Sequence, residues 1–590
     1  MKHDHLNEIR HSLAHLLAAA VLEKFPKAKL AIGPTIENGF YYDFLLPRPL
    51  TQDDLKDFEK SMRKLVCQNL PFKGKKVTPT EAKKIFSAKG GSSSDEKNQS
   101  FKLELIKDFV RDGKTLTVYK TGEIFIDLCR GGHVKNTKEI HPDAFKLSHI
   151  AGAYWKGDEK NQMLTRIYGL AFETKKELDD YIAFQEEAKK RDHKKLGQEL
   201  DLFTFSELVG SGLPLWTPKG TLVRNILDTY VWELRKKYGY MQVDIPHLTK
   251  KDLYEKSGHW DKFKDDLFKM ETREGHIFVI KPMNCPHHTQ IYARKPWSYR
   301  ELPQRYASTT KVYRDEQSGE LAGLSRVRSI TQDDAHVFCR KSQIREEMEK
   351  IWDIVEIFYK TFGFTLNVRL SLGDPKEPKK YLGTRKIWKE MENELRALVK
   401  KKGVKAEEAV GEAAFYGPKI DFIGKDSLKR DWQVATIQLD MNMPERFDLT
   451  CTNEEGKPER IVMIHAAIMG SIERFIAIII EHLAGAFPLW LAPIQIAVLP
   501  ISEKHFSKTN EFICKLNRYN IRVELFGTNE TLSKRIREAE LQKIPYIVII
   551  GDREIQKGEI NLRERGVKET RNIKIEQFID ETLQKIALKK

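Results

Sequence analysis

From Thr309 to Phe338 the chain reads TTKVYRDEQSGELAGLSRVRSITQDDAHVF, the pattern of a strand, a loop with a glycine-containing turn, and a returning strand. An Arg-x-Glu at Arg314 and Glu316 precedes the turn, and a second basic pair, Arg326 and Arg328, follows it. Displacement at an ATP phosphate needs fixed cations where negative charge accumulates, and the planar fork of arginine grips phosphate oxygens as lysine does not. Taken alone, the same pattern describes a cross-strand surface ion pair. The surrounding blocks decide between the two.

Downstream, MIHAAIMGSIERFIAIIIEH begins at Met463 and sets Arg474 just after Gly470. Residues 173–200 are dense in helix formers with only a thin apolar stripe, which predicts an exposed connecting helix. Near Pro488–Pro493 the alternation changes to IQIAVLPI, IRVELF and YIVIIG separated by polar helical stretches, which predicts a small β-α-β-α-β domain. At the other end, Leu13, Leu16, Leu17, Ala20 and Val21 recur at helical spacing before Pro26. KGGSSSDEKNQS, Lys89–Ser100, reads as a surface loop. No repeat of solenoid period is present.

The chain has 590 residues, enough for three or four domains, and 40% hydrophobic with 32% charged residues excludes global disorder. Its net charge of +16 favours a polyanionic partner, without choosing between RNA and DNA. Six scattered cysteines suggest no disulfide framework, which fits a reducing cytoplasm. No export signal and no apolar run near the ~20 residues of a membrane span is visible.

The Thr309 stretch resembles motif 2 of the class II aminoacyl-tRNA synthetases and the Met463 stretch resembles motif 3, which implies that motif 1 is a helix after Gly220 and a strand ending at Pro246. MNCPHH at Met283, TQDDAHVFC at Thr331 and AFYGPKIDF at Ala414 are similar to the threonyl branch of that family. The resemblance implies an α/β and α+β multidomain chain: an editing domain over 1–172, α+β in class; a connecting helix over 173–200; an antiparallel catalytic sheet flanked by helices over 201–490; and an α/β anticodon-binding domain over 491–590. It further implies ATP with Mg²⁺, L-threonine and tRNA(Thr) as partners, one Zn²⁺ per chain, a cytoplasmic homodimer and no membrane contact.

By that resemblance Arg314 holds the α-phosphate, Arg474 the γ-phosphate and Glu316 the adenine edge, with Arg326, Gln433 and Thr436 in the same pocket. Cys285, His336 and His465 match the zinc ligands, and each alone also reads as a buried thiol or core histidine. Three protein ligands leave zinc an open position. Threonine fills it with its amino group and hydroxyl, whereas isosteric valine cannot, and Gln332, Asp334, Tyr416 and Gln438 complete that pocket.

Serine keeps both of threonine's polar groups, and one methyl is worth only ~1–3 kcal/mol of discrimination, so a hydrolytic second site is expected. His11 and His15 sit four apart on the first helix, and Cys129 and His133 repeat the interval across Gly131 and Gly132. Four such groups could position a water, and the same pattern also describes a zinc site or a chance spacing. RHSLAHLLAAAV, DLCRGGHV with Asp127, and SHIAGAYWKGDEKNQMLTRIYGLAF resemble the family's proofreading domain, which favours the water. In GEINLRERG, Glu559, Arg563 and Arg565 are candidates for reading anticodon bases.

Four departures stand out. His11 comes almost at the start, so the family's N-terminal ubiquitin-like domain is expected to be absent. Ile330 replaces a phenylalanine that packs on adenine, Val434 a cysteine common in the pocket, and Gly132 a usual proline.

Overall fold

The stripe Leu13, Leu16, Leu17, Ala20 and Val21 is fully buried along a helix, Lys2–Lys24, as its spacing predicts. The computed structural model describes residues 2–87 and 99–590. It divides into two units, Met1–Glu187 and Ala188–Lys590.

In the first unit an antiparallel sheet runs in the order Lys29–Leu30, Gly39–Leu45, Met163–Ala171, Phe145–Tyr154, with Phe40, Tyr42 and Phe44 turned into its core. A second sheet joins Phe72–Lys76, Thr117–Thr121 and Phe125–Leu128. The unit is α+β, in line with the expectation. Most of the predicted loop, residues 89–98, lies outside the described residues. Its end is not loop: Ser100 opens a helix, Ser100–Arg111. Gln99 there accepts a hydrogen bond from Leu30 N at 2.7 Å and donates one to Ala28 O at 3.1 Å.

The single connecting helix expected over 173–200 is two helices, Lys175–Arg191 and His193–Glu199. They break at Asp192, whose carboxylate caps Lys194 N at 2.8 Å. The second is exposed on one face only, since His193, Leu196 and Gly197 are buried. The thin stripe carries too few apolar residues to reveal that His193 itself is an inward position.

The second unit is built on an eight-stranded sheet. Its interior is antiparallel in the order Gln304–Tyr313, Ser329–Cys339, Val462–Ser471, Asp431–Asp440, Lys419–Lys425, Thr365–Leu372, while Met241–Gln242 and Ala406–Val410 add parallel edges. The predicted strand, loop and returning strand of the opening stretch form the first antiparallel pair, with Tyr313 opposite Ser329. Helices Pro218–Lys237, Ile344–Thr361 and Ile472–His482 supply Leu227, Trp352, Phe358 and Phe475 to the core behind the sheet. Farther on, Ile496–Pro500, Val523–Leu525 and Tyr546–Ile550 are parallel strands alternating with helices, as predicted, and Glu559–Glu564 and Thr570–Lys574 extend the sheet antiparallel.

Candidate functional site

Ser329–Cys339 is buried along nearly its whole length although it carries Gln332, Asp333, Asp334 and His336. Buried polar groups need partners, and the neighbouring strands provide them. His336 faces His465 directly across the ladder, so residues far apart in sequence become adjacent by register alone. His336 Nε2 lies 3.1 Å from His465 Nδ1. The outer ring nitrogens are engaged elsewhere: His465 Nε2 with Asp440 at 3.0 Å, His336 Nδ1 with His288 Nδ1 at 2.7 Å. Cys285 opens the helix Cys285–Tyr292, and one donor atom from each of Cys285, His336 and His465 falls within 4.8 Å of the others. A soft sulfur, two imidazoles and a carboxylate orienting one ring form a donor set suited to zinc. Burial pushes the Cys285 thiol well above its ordinary value, so a metal must displace a proton to bind there. Burial also raises Asp334 to about 6, against the pull of its hydrogen bond from Asn284. His288 and Asp440 were not singled out from sequence. Only the adjacency of His288 to Cys285 in MNCPHH hinted at either.

Two cavities open beside this cluster. One, of about 690 Å³, is lined by the zinc-type residues with Tyr416, Gln438 and Asp334. The other, of about 530 Å³, is lined by Glu316, Arg326, Ile330, Trp432 and Arg474. Arg314 and Gln332 line both. Among the described residues neither Arg314 nor Arg474 has an ion-pair partner; Arg474 lies 5.6 Å from the Trp432 ring, in the first turn of Ile472–His482, where backbone amides favour anions. Gln332 Oε1 is buried without a hydrogen-bond partner.

Some expected residues fall elsewhere. Glu316 is not free: Arg326 pairs with it at 2.7 Å. Gln433 and Thr436 line the larger cavity rather than the one holding Glu316 and Arg326, and both bond Asp421, at 2.7 and 2.8 Å. Val434 faces away from both cavities into the main core. A bulge explains this: the register slips at Phe422/Ile423, where Ala435 and Gln433 are the partners, so Val434 is the extra residue and joins Ala435 in the core while Gln433 lines the cavity.

In the first unit His11 and His15 share a helix face as predicted, and Cys129 and His133 come from the turn after Phe125–Leu128. One donor atom from each lies within 4.8 Å of the rest. Cys129 Sγ is 3.4 Å from His11 Nε2 and 3.1 Å from His133 Nε2. Burial raises the Cys129 thiol to about 11 and lowers His11, His15 and His133. Asp127 lies 3.8 Å from His15, beside Lys102 at 2.5 Å and the Tyr42 hydroxyl at 2.6 Å. Lys102 and Tyr42 carry no motif, and sequence reading passed over both. Gly131 and Gly132 have φ of +101° and +83°, a region closed to proline, whose ring fixes φ near −65°. The glycine at 132 therefore holds a backbone that proline cannot adopt.

Glu559 and Arg563 project from one side of Glu559–Glu564, with Arg563 3.4 Å from Glu540. Arg565 is spent otherwise: its guanidinium donates to the carbonyls of Lys543, Ala486 (3.1 Å) and Phe487 (2.6 Å). Those bonds tie the strand to the segment that enters this domain.

Residues 268–483 match the family described as tRNA synthetase class II core domain (G, H, P, S and T), 495–585 the anticodon binding domain, and 116–168 the threonyl and alanyl tRNA synthetase second additional domain. A threonine–tRNA ligase from Gloeobacter violaceus is 46% identical over 583 residues, covering 97% of this chain and 91% of its own. One from Thermotoga neapolitana is 45% identical over 98% of this chain and 87% of its own. A crystal structure of the RNA binding domain of a threonyl-tRNA synthetase from Cryptosporidium parvum superposes with a TM-score of 0.64 at 38% identity, covering 67% of this chain and 98% of that one.

Proposed function

Since this chain belongs to the threonine–tRNA ligase family, and so activates threonine with ATP, charges tRNA(Thr) and edits seryl-tRNA(Thr), we propose that its two joined cavities are the activation site and its N-terminal His-Cys cluster the editing site. The observation that supports the first assignment is the shared wall: Arg314 and Gln332 border both cavities, so a nucleotide in one and an amino acid in the other meet at Arg314.

On this reading Arg314 neutralises the α-phosphate as the threonine carboxylate attacks it, and Arg474, backed by Trp432, holds the γ-phosphate. Mg²⁺ accompanies ATP, as this class requires. The protein contributes alignment and fixed positive charge, and no covalent enzyme intermediate is needed. Glu316 meets the adenine edge, with Arg326 holding its carboxylate in place. Cys285, His336 and His465 would hold zinc, which when bound supplies an electrophilic contact to the amino group and hydroxyl of threonine. Asp334, Tyr416 and Gln438 orient the same substrate, and Gln433 and Thr436 line its cavity instead of the adenine side.

At the second site His11, His15, Cys129 and His133 position a water against the ester of seryl-tRNA. Asp127, held by Lys102 and Tyr42, sets a negative charge beside His15. Glu559 and Arg563 read the anticodon, while Arg565 braces their strand. The assembly is a homodimer, a reading supported by exposed Phe205, Leu208, Val209 and Leu215 just ahead of the Pro218–Lys237 helix.

Threonine-dependent pyrophosphate exchange with ATP tests the activation site: Arg314→Ala and Arg474→Ala are each expected to abolish it in a folded protein. Full exchange in either would remove that arginine from the phosphate site.

A further inference from the structure

His193 belongs to none of these assignments, yet it sits at the meeting point of three elements. It is 4% exposed, at the start of the short helix His193–Glu199. Leu324 N, in the loop that carries Glu316 and Arg326, donates to His193 Nε2 at 3.1 Å. An acceptor at Nε2 fixes the proton on Nδ1, which is donated to Glu481 Oε1 at 2.6 Å. Glu481 lies in the last turn of the helix Ile472–His482, whose first turn carries Arg474, and its second oxygen pairs with Arg430 at 2.6 Å. Arg430 also pairs with Asp426, whose Oδ2 accepts from Trp432 Nε1 at 2.9 Å. The chain of contacts thus runs from the Glu316–Arg326 loop to the Trp432 wall of the same cavity.

Two further observations point the same way. Leu324 is fully buried in the core that holds Leu196 and Leu200 of the His193 segment. Gly323 has φ +55°, and a Cβ there would lie 2.4 Å from His193 Nε2, so the loop approaches the ring as closely as a bare backbone permits. Asp192, His193 and Glu481 could be read as three metal ligands. Both ring nitrogens are already committed, one to an N–H that points at it, and a cation has no lone pair left to take.

We propose that His193 is a positioning residue for ATP: it holds the Glu316–Arg326 loop and, through Glu481, Arg430 and Asp426, the Trp432 wall, so that the cavity is formed before the nucleotide enters. The proposal rests on that cavity being the nucleotide site. Losing the loop's anchoring bond leaves the backbone N–H of Leu324 buried and unpaired, which costs on the order of 1–2 kcal/mol, or roughly tenfold in ATP affinity.

Pyrophosphate exchange on the full chain, with ATP and threonine varied separately, tests it. His193→Ala and His193→Asn should each raise the ATP KM about tenfold with kcat and the threonine KM within about twofold, because Asn reaches Glu481 but not Leu324. His193→Gln, whose longer amide offers an acceptor to Leu324 N, should restore most of the loss. Arg474→Ala is run beside them. Loss of its ATP-dependent exchange with no effect of any His193 variant would overturn the His193 proposal alone, whereas a parental ATP KM for Arg474→Ala would overturn the cavity reading and this proposal with it. A uniform fall in kcat and in both affinities, unrescued by Gln, would reduce His193 to a general structural role.

Discussion

Cys129 shows how burial decides chemistry at a single residue. With its thiol raised to about 11, only about one molecule in several thousand carries a thiolate at pH 7.5, against several in a hundred for an ordinary cysteine. That speaks for a hydrogen-bonding role and against a nucleophile. Iodoacetamide labelling followed by peptide mapping should find Cys129 on the order of 100-fold slower than exposed Cys67 and Cys514 at pH 7.5, with its rate climbing as pH rises towards 11. Labelling as fast as Cys67 would show a thiolate that the site does not otherwise explain. Ile330 makes the opposite case, a position where polarisability is short. It lines the proposed nucleotide cavity together with Trp432. Ile330→Phe is expected to lower the ATP KM by the worth of one aromatic contact, ~0.5–1.5 kcal/mol. An unchanged KM would mean that Trp432 already supplies the adenine's aromatic face.

At the scale of elements, the turn Cys129–His133 carries the sharpest test. Gly132→Pro asks a φ of +83° to become about −65°, which must swing Cys129 and His133 out of register with His11. Seryl-tRNA hydrolysis is expected to fall by at least tenfold while threonine activation is unchanged; full editing would show that the turn adopts a second working shape. This turn was legible as a spacing, CxxxH, because its residues are local, and the helix before it was legible as a periodicity. The zinc-type cluster was not legible in that way. His336 meets His465 through strand register, a property of two segments at once, and only the resemblance pointed to the pair. The break at Asp192 escaped because a capping aspartate in a charged helix looks like one more charge. Lys102 escaped because a buried lysine has no sequence signature until its carboxylate partner is known. Arg565 was read as a candidate for anticodon bases, and its carbonyl partners at Ala486 and Phe487 lie some eighty positions away, beyond the reach of a local pattern.

For the whole molecule, the two sites should be separable. Replacing His11 and Cys129 together by Ala is expected to leave threonine activation near the parent value while seryl-tRNA accumulates, since the proposed activation residues all lie in the other unit. Clearance of seryl-tRNA at the parent rate would return the N-terminal cluster to a structural role. Metal content makes a second division: one zinc per chain, lost on His336→Ala, is expected, and two per chain would mark the His11–His133 cluster as a metal site as well. Among the described residues no helix is long and apolar enough to cross a membrane, and the charge of +16 predicts tRNA binding that weakens steeply with salt. The two glycines of the proposed editing turn finally bear on mutational tolerance: with φ of +101° and +83°, Gly131 and Gly132 accept a side chain only at a backbone cost, so the turn is strained by substitution at either position whatever residue is introduced.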